Sequence, residues 1–355
     1  MSNPFCAHKS FLPRVPLLLP LFCVILTSGC SGLFGTHKRV QVPQLLTPLA
    51  EADKNQLFQE VNRLAGVRSI HGKVDLIFED NSFAEAGIAE KYKQADGTVT
   101  LQRPGEVYLV IQVPFIATDI AQMSSDGEHF RVAVLQGAEK FRRFVKGTNS
   151  AVYDKLDLNG DNKDDAKGDK KRVMTGEETV TALSNLRPQH LTDALMVTAI
   201  SPAGSGSPTY TQSEFYQEEQ DTRPQAKKGT RVVRGYYLLE ELSQSGQDMK
   251  LLRRLWFDRV GGVRLARLQT FDDRGRLITD ISYFNEMPFG ENAGKRLPSR
   301  VEITRPYDRY KLSINYQAPE SVVLDREYRP EAFVLENKWQ LPEVDLDARQ
   351  KTSNR

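Results

Sequence analysis

Apolar and polar residues alternate in short runs along most of this chain. Val74, Leu76 and Phe78 are interleaved with Lys73, Asp75 and Glu79. Val99 and Leu101 keep the same period of two, as do Val107, Leu109, Ile111 and Val113, and then Phe130, Val132 and Val134. Each run predicts a strand with one apolar face. Lys140–Lys146 predicts one more, and Asp96-Gly97, Pro104-Gly105 and Asp126-Gly127 supply turns between the runs. A second block follows the same rule: Tyr210–Tyr216, Arg231–Leu239, Leu251–Phe257, Val263–Phe271, Leu277–Asn285, Leu297–Thr304 and Tyr310–Tyr316. In the last of these Tyr310, Leu312, Ile314 and Tyr316 alternate with Lys311, Ser313, Asn315 and Gln317. The polar stretch Gln217–Thr230 reads as a long hairpin loop. Strands that follow one another this closely usually pair, so the pattern predicts an antiparallel meander whose apolar face needs a cover.

The period becomes helical in two places. Leu57, Phe58, Val61, Leu64 and Ala65 share one face of a helix expected from Pro48 to Ala65, with Thr47 as its cap and Gly66 as its stop. Between the strand blocks, Thr175-Gly-Glu-Glu178 is a capping-box pattern ahead of Val180, Leu183 and Leu186. Pro188 opens a further helix with Leu191, Ala194, Leu195 and Met196 on one face. These helices are the expected cover. Pro202–Pro208 reads as a flexible link. In the tail, Phe333, Val334 and Trp339 are expected to dock, and the polar end after Asp345 is not.

The first 30 residues follow a different logic. Lys9 and Arg14 precede an apolar run from about Val15, which is broken by Pro16 and Pro20 and ends in Leu26-Thr27-Ser28-Gly29-Cys30. A basic head, a short apolar segment and small residues at the end describe a secretory signal. With Cys directly after Ser28-Gly29, the stretch resembles the lipobox of bacterial lipoproteins, although Thr27 stands where Leu is usual. That resemblance implies cleavage before Cys30 and diacylation of its thiol by palmitate-type chains. An ordinary signal peptide or a short membrane helix is the plainer alternative, and the run is short and Pro-broken for a span. The layout expected is a signal peptide over 1–29, a lipidated tether over 30–48, a main domain over 49–317 and a C-terminal docking segment and tail over 318–355.

Composition adds limits. The chain has 48 basic and 46 acidic residues among 355. Loss of Lys9 and Arg14 with the signal leaves the two signs equal, so charge gives no argument for nucleic acid. Cys6 and Cys23 lie in the signal, so the remaining domain has no disulfide and depends on its core. Residues 154–172 form a charged insertion. Asp157, Asn159, Asp161 and Asp165 occupy positions 1, 3, 5 and 9 of a calcium loop. Asn162 stands where Gly is wanted and Gly168 where a bidentate acid belongs. A solvated insertion is the preferred reading and a calcium site the alternative; no metal or other cofactor is expected. Gly204-Ser205-Gly206 lacks the spacing of a nucleophile elbow. His71 and His129 read as structural, and no His pair has metal-helix spacing. Arg253-Arg254 beside Trp256 reads as the outward charge of a strand, with lipid headgroups or nucleic acid as the less common explanation. Nothing in this set points to an enzyme.

The order of parts resembles the bacterial lipoprotein-localisation superfamily, the LolA/LolB-like proteins. The local similarity lies in Gly97–Pro104 leading into Glu106–Val113, Ser125-Asp126-Gly127 before Phe130, Trp256-Phe257-Asp258 before Gly261-Gly262, and Gly294-Lys-Arg-Leu297-Pro298. The resemblance covers about Leu49 to Gln317. The charged insertion and the greater length depart from it. It implies a mainly β (α+β) fold, an antiparallel unclosed barrel covered by a few helices. It further implies an apolar cavity for acyl chains of lipoproteins or phospholipid, lined by Leu76, Phe78, Leu109, Ile111, Phe130, Val132, Leu277, Ile281, Leu312 and Ile314. The family's receptor carries an apolar protruding loop, for which Phe115 and Ile116 are the candidates; a buried turn is the alternative. The function expected is that of an outer-membrane lipoprotein facing the periplasm, with Ser31 after the anchor leaning towards that membrane. It would hold acyl chains for lipoprotein or lipid transfer. The alternative is a non-catalytic envelope lipoprotein that uses the same fold to bind a protein partner.

Overall fold

The structure, a computed structural model, describes residues 42–353 apart from 81–89, 92–93, 115, 117, 138, 140–141, 152, 154–185, 202–207, 224 and 292–293. Cys30, the calcium-loop residues Asp157, Asn159, Asp161 and Asp165, Phe115, and the helix expected after Thr175 all lie outside the described residues. Residues from Leu45 onward form one unit.

After the two-residue strand β1 (Gln44–Leu45), the first helix is α1 (Lys54–Ala65). It starts six residues later than the Thr47-Pro48 pair suggests. Asp53, not Thr47, is the cap: its carboxylate accepts from the Gln56 N–H at 2.8 Å, and the Gln56 side chain accepts from the Asp53 N–H at 2.9 Å. This reciprocal pair satisfies two of the N–H groups a helix start leaves free. Residues 46–50 instead run extended, with Leu49 bridged to Val260. At the other end the Gly66 N–H reaches the Asn62 carbonyl at 2.9 Å.

The first strand block is β2 (Ser69–Asp80), the short β3 (Glu90–Lys91), β4 (Ala95–Gln102), β5 (Glu106–Gln112), β6 (Asp119–Asp126), β7 (His129–Val134) and β8 (Arg143–Thr148). Helix α2 (Pro188–Leu195) follows. The second block is β9 (Thr209–Gln220), β10 (Arg231–Ser245), β11 (Asp248–Asp258), β12 (Arg264–Phe271), β13 (Leu277–Phe289), β14 (Lys295–Arg305) and β15 (Tyr310–Tyr316). The chain ends with the short strands β16 (Val323–Leu324) and β17 (Glu343–Asp345) and helix α3 (Leu346–Ser353).

All of this is one sheet. Its main order is β9-β10-β11-β12-β13-β14-β15-β2-β4-β5-β6-β7-β8-β17. The neighbours are antiparallel except β8 and β17, which are parallel. Among the described residues no pairing joins β9 to β17, so the sheet is not closed into a barrel. The expected fold class is therefore the one observed. The two blocks meet where β15 pairs with β2, which sets Leu312 opposite Phe78 and Ile314 opposite Leu76.

Three elements differ from the pattern. β6 carries too few large apolar residues to register as a strand. The polar loop is shorter than Gln217–Thr230, because β9 runs to Gln220. The polar end after Asp345 is ordered: it forms α3, Leu346 is buried in the main core, and Asp347 accepts from Thr148 Oγ1 at 2.9 Å.

Candidate functional site

Strand register turns the alternation into a continuous apolar surface. Leu239 pairs with Leu255, Leu255 with Leu268, Leu268 with Ile281, Ile281 with Ile303, Ile303 with Leu312 and Leu312 with Phe78. On the other side of β2, Val99, Leu109, Met123, Val132 and Val145 form a second row through β4–β8. All of these residues are buried in one cluster, on the inner face of the sheet. Fully burying such a side chain is worth about 1.5–3 kcal/mol, which makes this face the main source of stability.

The nominated residues Leu76, Phe78, Leu109, Ile111, Phe130, Val132, Ile281, Leu312 and Ile314 all lie in that inner cluster. Leu277 does not: it is half-buried at the start of β13. Ile116, in the link between β5 and β6, is 70% exposed.

Among the described residues two helices cover the inner face. Helix α1 turns Leu57, Phe58, Val61 and Leu64 inward and packs on β12. Helix α2 turns Leu191 and Ala194 inward and contacts β5 and β6 in one block and β14 in the other, so it bridges the two. Under it lies a cavity of about 20 Å³, lined by residues that include Leu64, Ile70, Ala194, Tyr283, Leu297 and Tyr316. That is room for one water and no more. None of the ten nominated residues lines it; their inner row is covered by packed side chains.

Polar contacts hold α2 and the segment after it. Tyr283 Oη donates to the Ala194 carbonyl at 3.1 Å. Arg103 Nη2 donates to the Val197 carbonyl at 2.8 Å. Asn62 pairs twice with the backbone of Ile200, at 3.0 and 2.8 Å. His190 is buried, and its Nδ1 lies 2.6 Å from Tyr310 Oη. The Arg187 N–H donates to the same nitrogen at 3.4 Å, so Nδ1 is an acceptor and the ring is neutral. Burial, with Arg305 and Arg187 nearby, pushes the His190 pKa well below the ordinary value. Desolvation also raises the Asp193 carboxyl and the Tyr283 and Tyr310 hydroxyls. For His190, Tyr283 and Tyr310 these are desolvation effects under a cover, whereas Asp193 is an exposed residue of α2.

His71 sits in β2 with Nδ1 2.8 Å from Thr100 Oγ1, and His129 lies beside Asp126 at the β6–β7 turn. The Arg253-Arg254 pair is split. Arg254 bonds Glu240 at 2.8 Å on the outer face, as a strand's outward charge does. Arg253 lies on the inner-face side, where it bonds the buried Glu241 at 2.7 Å and the Thr198 carbonyl at 3.2 Å. The strand bulge between Glu241 and Leu242 shifts the register there. Sequence reasoning missed Asn62, Arg103 and Tyr283, because a residue that ties down a distant segment leaves no local signal.

Fold and site together define a mainly β protein, an open antiparallel sheet whose inner apolar face is capped by short helices. The sequence matches no protein-family model and no curated protein. Among solved structures the chain is similar to a LolA superfamily protein of Nitrosomonas europaea, at 12% identity and a TM-score of 0.38, over 80% of this chain and 99% of that one. It is similar to a DUF1329 family protein of Desulfovibrio piger, at 10% identity and 0.35, over 79% and 95%. It is also similar to a Vibrio parahaemolyticus domain described as that of an outer membrane lipoprotein-sorting protein, at 11% and 0.36, over 78% and 94%. At this level of likeness the fold rests on the strand pairings themselves.

Proposed function

We propose that this protein is a lipid-anchored, non-catalytic protein of the cell envelope that takes acyl chains of lipoproteins or phospholipid onto its inner sheet face. Acylation at Cys30 tethers it, with the outer membrane as the site and the periplasm as the side it faces. The observation that carries this reading is the unbroken apolar row from Leu239 to Phe78, covered among the described residues by two short helices. An acyl chain offers only apolar area, worth about 25 cal/mol per Å², and a dry row of Leu, Ile, Val and Phe meets it without any reactive group.

Uptake exchanges one apolar surface for another. Leu191 and Ala194 of α2 occupy the volume a chain would take, so α2 moves aside and its contacts to Tyr283 and Tyr310 are the ones that break. Exposed Ile116 fits an apolar loop that enters a membrane surface.

The small cavity supports a second reading, an envelope protein that uses a filled sheet to bind a protein partner. Native mass spectrometry of a Cys30→Ser form, purified without detergent, separates the two. Co-purified phospholipid or acylated peptide is the expected result. A clean apo mass with no uptake of added lipid overturns the acyl-chain reading and favours the partner-binding one.

A further inference from the structure

A second, polar pocket adjoins the apolar cavity, and Leu297 lines both. It has a volume of about 240 Å³ and is lined by Arg63, Arg264, Glu286, Gly294, Lys295, Arg296 and Leu297. These residues come from the last turn of α1, the start of β12, the end of β13 and the start of β14. Glu286, 18% exposed, is the lining carboxylate, and Glu60, 6% exposed, lies behind the lining Arg63. The guanidiniums form its rim: Arg63, Arg264 and Arg296 are 35%, 50% and 53% exposed.

Arg63 holds Glu60 with two bonds, at 2.8 and 3.0 Å. Glu286 is shared by Arg264 at 3.1 Å, Arg296 at 3.4 Å and Arg63 at 3.4 Å. Three guanidiniums therefore face two carboxylates, and one positive charge is left over. Arg264 and Arg296 are the two more exposed guanidiniums of the set, at 50% and 53%. The carbonyl end of α1, which would repel an anion, is already met by Lys295, whose Nζ lies 3.4 Å from the Gly66 carbonyl and 2.5 Å from Asp325.

We infer that this pocket binds a phosphate monoanion through Arg264 and Arg296, and that the phosphate is the headgroup diester of an anionic glycerophospholipid whose acyl chain enters the neighbouring apolar face. The inference rests on the acyl-chain reading for the lipid part only. Arginine forks match phosphate oxygens geometrically, and the single excess charge matches a diester better than a dianionic monoester. The pocket has room for a headgroup and is smaller than the sites drug-sized ligands occupy. Leu297 marks the line where a ligand changes from polar to apolar.

The test is calorimetric titration of the Cys30→Ser chain in a phosphate-free buffer. The probes are dihexanoylphosphatidylglycerol, glycerol phosphate, inorganic phosphate and an uncharged monoacylglycerol. The lipid is expected to bind most tightly. Arg264→Ala with Arg296→Ala should weaken it about ten-fold or more and leave monoacylglycerol uptake unchanged. Glu286→Gln keeps every arginine and adds a net positive charge, so it should tighten binding of the phosphate-bearing probes. That variant keeps the test decisive if the double substitution unfolds. Should glycerol phosphate and inorganic phosphate bind as tightly as the lipid, with the same dependence on the arginines, the site stands for soluble phosphates and the lipid source falls. Phosphatidylglycerol bound equally by wild type, the double variant and Glu286→Gln overturns the headgroup site and leaves the acyl-chain reading intact. No binding of any phosphate compound, with monoacylglycerol still taken up, overturns it in the same way.

Discussion

The two halves of the sheet share an inner face and differ in their outer one. Over β5–β8 the outer face is covered by the C-terminal segment. Leu335 and Leu341 are buried there against Ala133 and Phe144, with Tyr108 and Trp339 packed alongside. Over β9–β14 the outer face carries a lattice of arginines instead. Arg254 bonds Glu240, Arg267 bonds Asp280 at 2.7 Å and lies over the Trp256 ring, and Arg234 bonds Glu219 and Asp258, each at 2.6 Å. Phe215 and Tyr236 meet Trp256 edge-on, at 5.1 and 5.7 Å between centroids. A wide open sheet thus shields its outer side by two means, a strap of chain on one half and a charged aromatic lattice on the other. The first buries apolar area; the second keeps the face wet and relies on many small terms.

Substitutions on each surface rank these devices. Phe257→Ala, on the fully buried inner face, should destabilise the protein by about 3–5 kcal/mol in denaturant titration. A cost below that of the outer-face variants would mean the inner face is not the common core. Leu335→Ala, under the strap, should cost about 2–3 kcal/mol and raise hydrogen exchange chiefly in β5–β8. Equal exchange across β9–β14 would show that the strap supports the whole sheet.

The His190 contact gives a pH signature. Its native pKa is lowered by burial, so the unfolded state binds the proton first. Stability contributed by the neutral ring is present above about pH 6.5 and is lost as pH falls below it, with a slope of up to ~1.4 kcal/mol per pH unit. His71, also lowered by burial, adds in the same direction. Asp193, whose carboxyl is raised by partial desolvation, works the opposite way at lower pH. His190→Asn should flatten the slope between about pH 6.5 and 5 in melts taken across that range; an unchanged slope would assign it to other groups.

On the lattice side, Trp256→Ala should cost about 1–2 kcal/mol through its ring contacts. Arg254→Ala should cost about 0.2–1 kcal/mol, less at high salt, since its pair is partly exposed. If either exceeded Leu335→Ala, the contrast between strap and lattice would be reversed.

Most strands were legible in the sequence because one of their faces is polar. β15 is the clear case, and its predicted bounds, Tyr310–Tyr316, are the observed ones. β6 was not legible. Its outward Ser124 is buried under the strap, where Oγ accepts from the Leu335 N–H at 3.1 Å, and its inward Ser125 bonds Asn149 at 2.8 Å. Where both faces are covered, small polar residues replace the alternation. Pro188 and the apolar face after it locate α2, while α1 starts later than Thr47-Pro48 suggests because Asp53 and Gln56 form a reciprocal capping pair six residues on. The basic pocket had no linear signature, since Arg63, Arg264 and Arg296 come from three elements that only the sheet order brings together. Strand parity places most of the inner row but not Leu277, which pairs where the β12–β13 register shifts at Thr270/Phe271; the filling of that face by α1 and α2 depends on packing across the whole domain.

The pairing of β15 with β2 also sets the timetable of folding. β2 lies near the middle of the sheet and near the beginning of the described chain, and its partner is the last long strand. A chain delivered N-terminal end first therefore presents β2 with one flank unfilled until Tyr310–Tyr316 has emerged. Such long-range closure is slow and leaves a pairing edge open meanwhile. The later half of the chain is in this sense the first half's chaperone, and a truncation before β15 should produce a sticky fragment of β2–β8, not a smaller working protein.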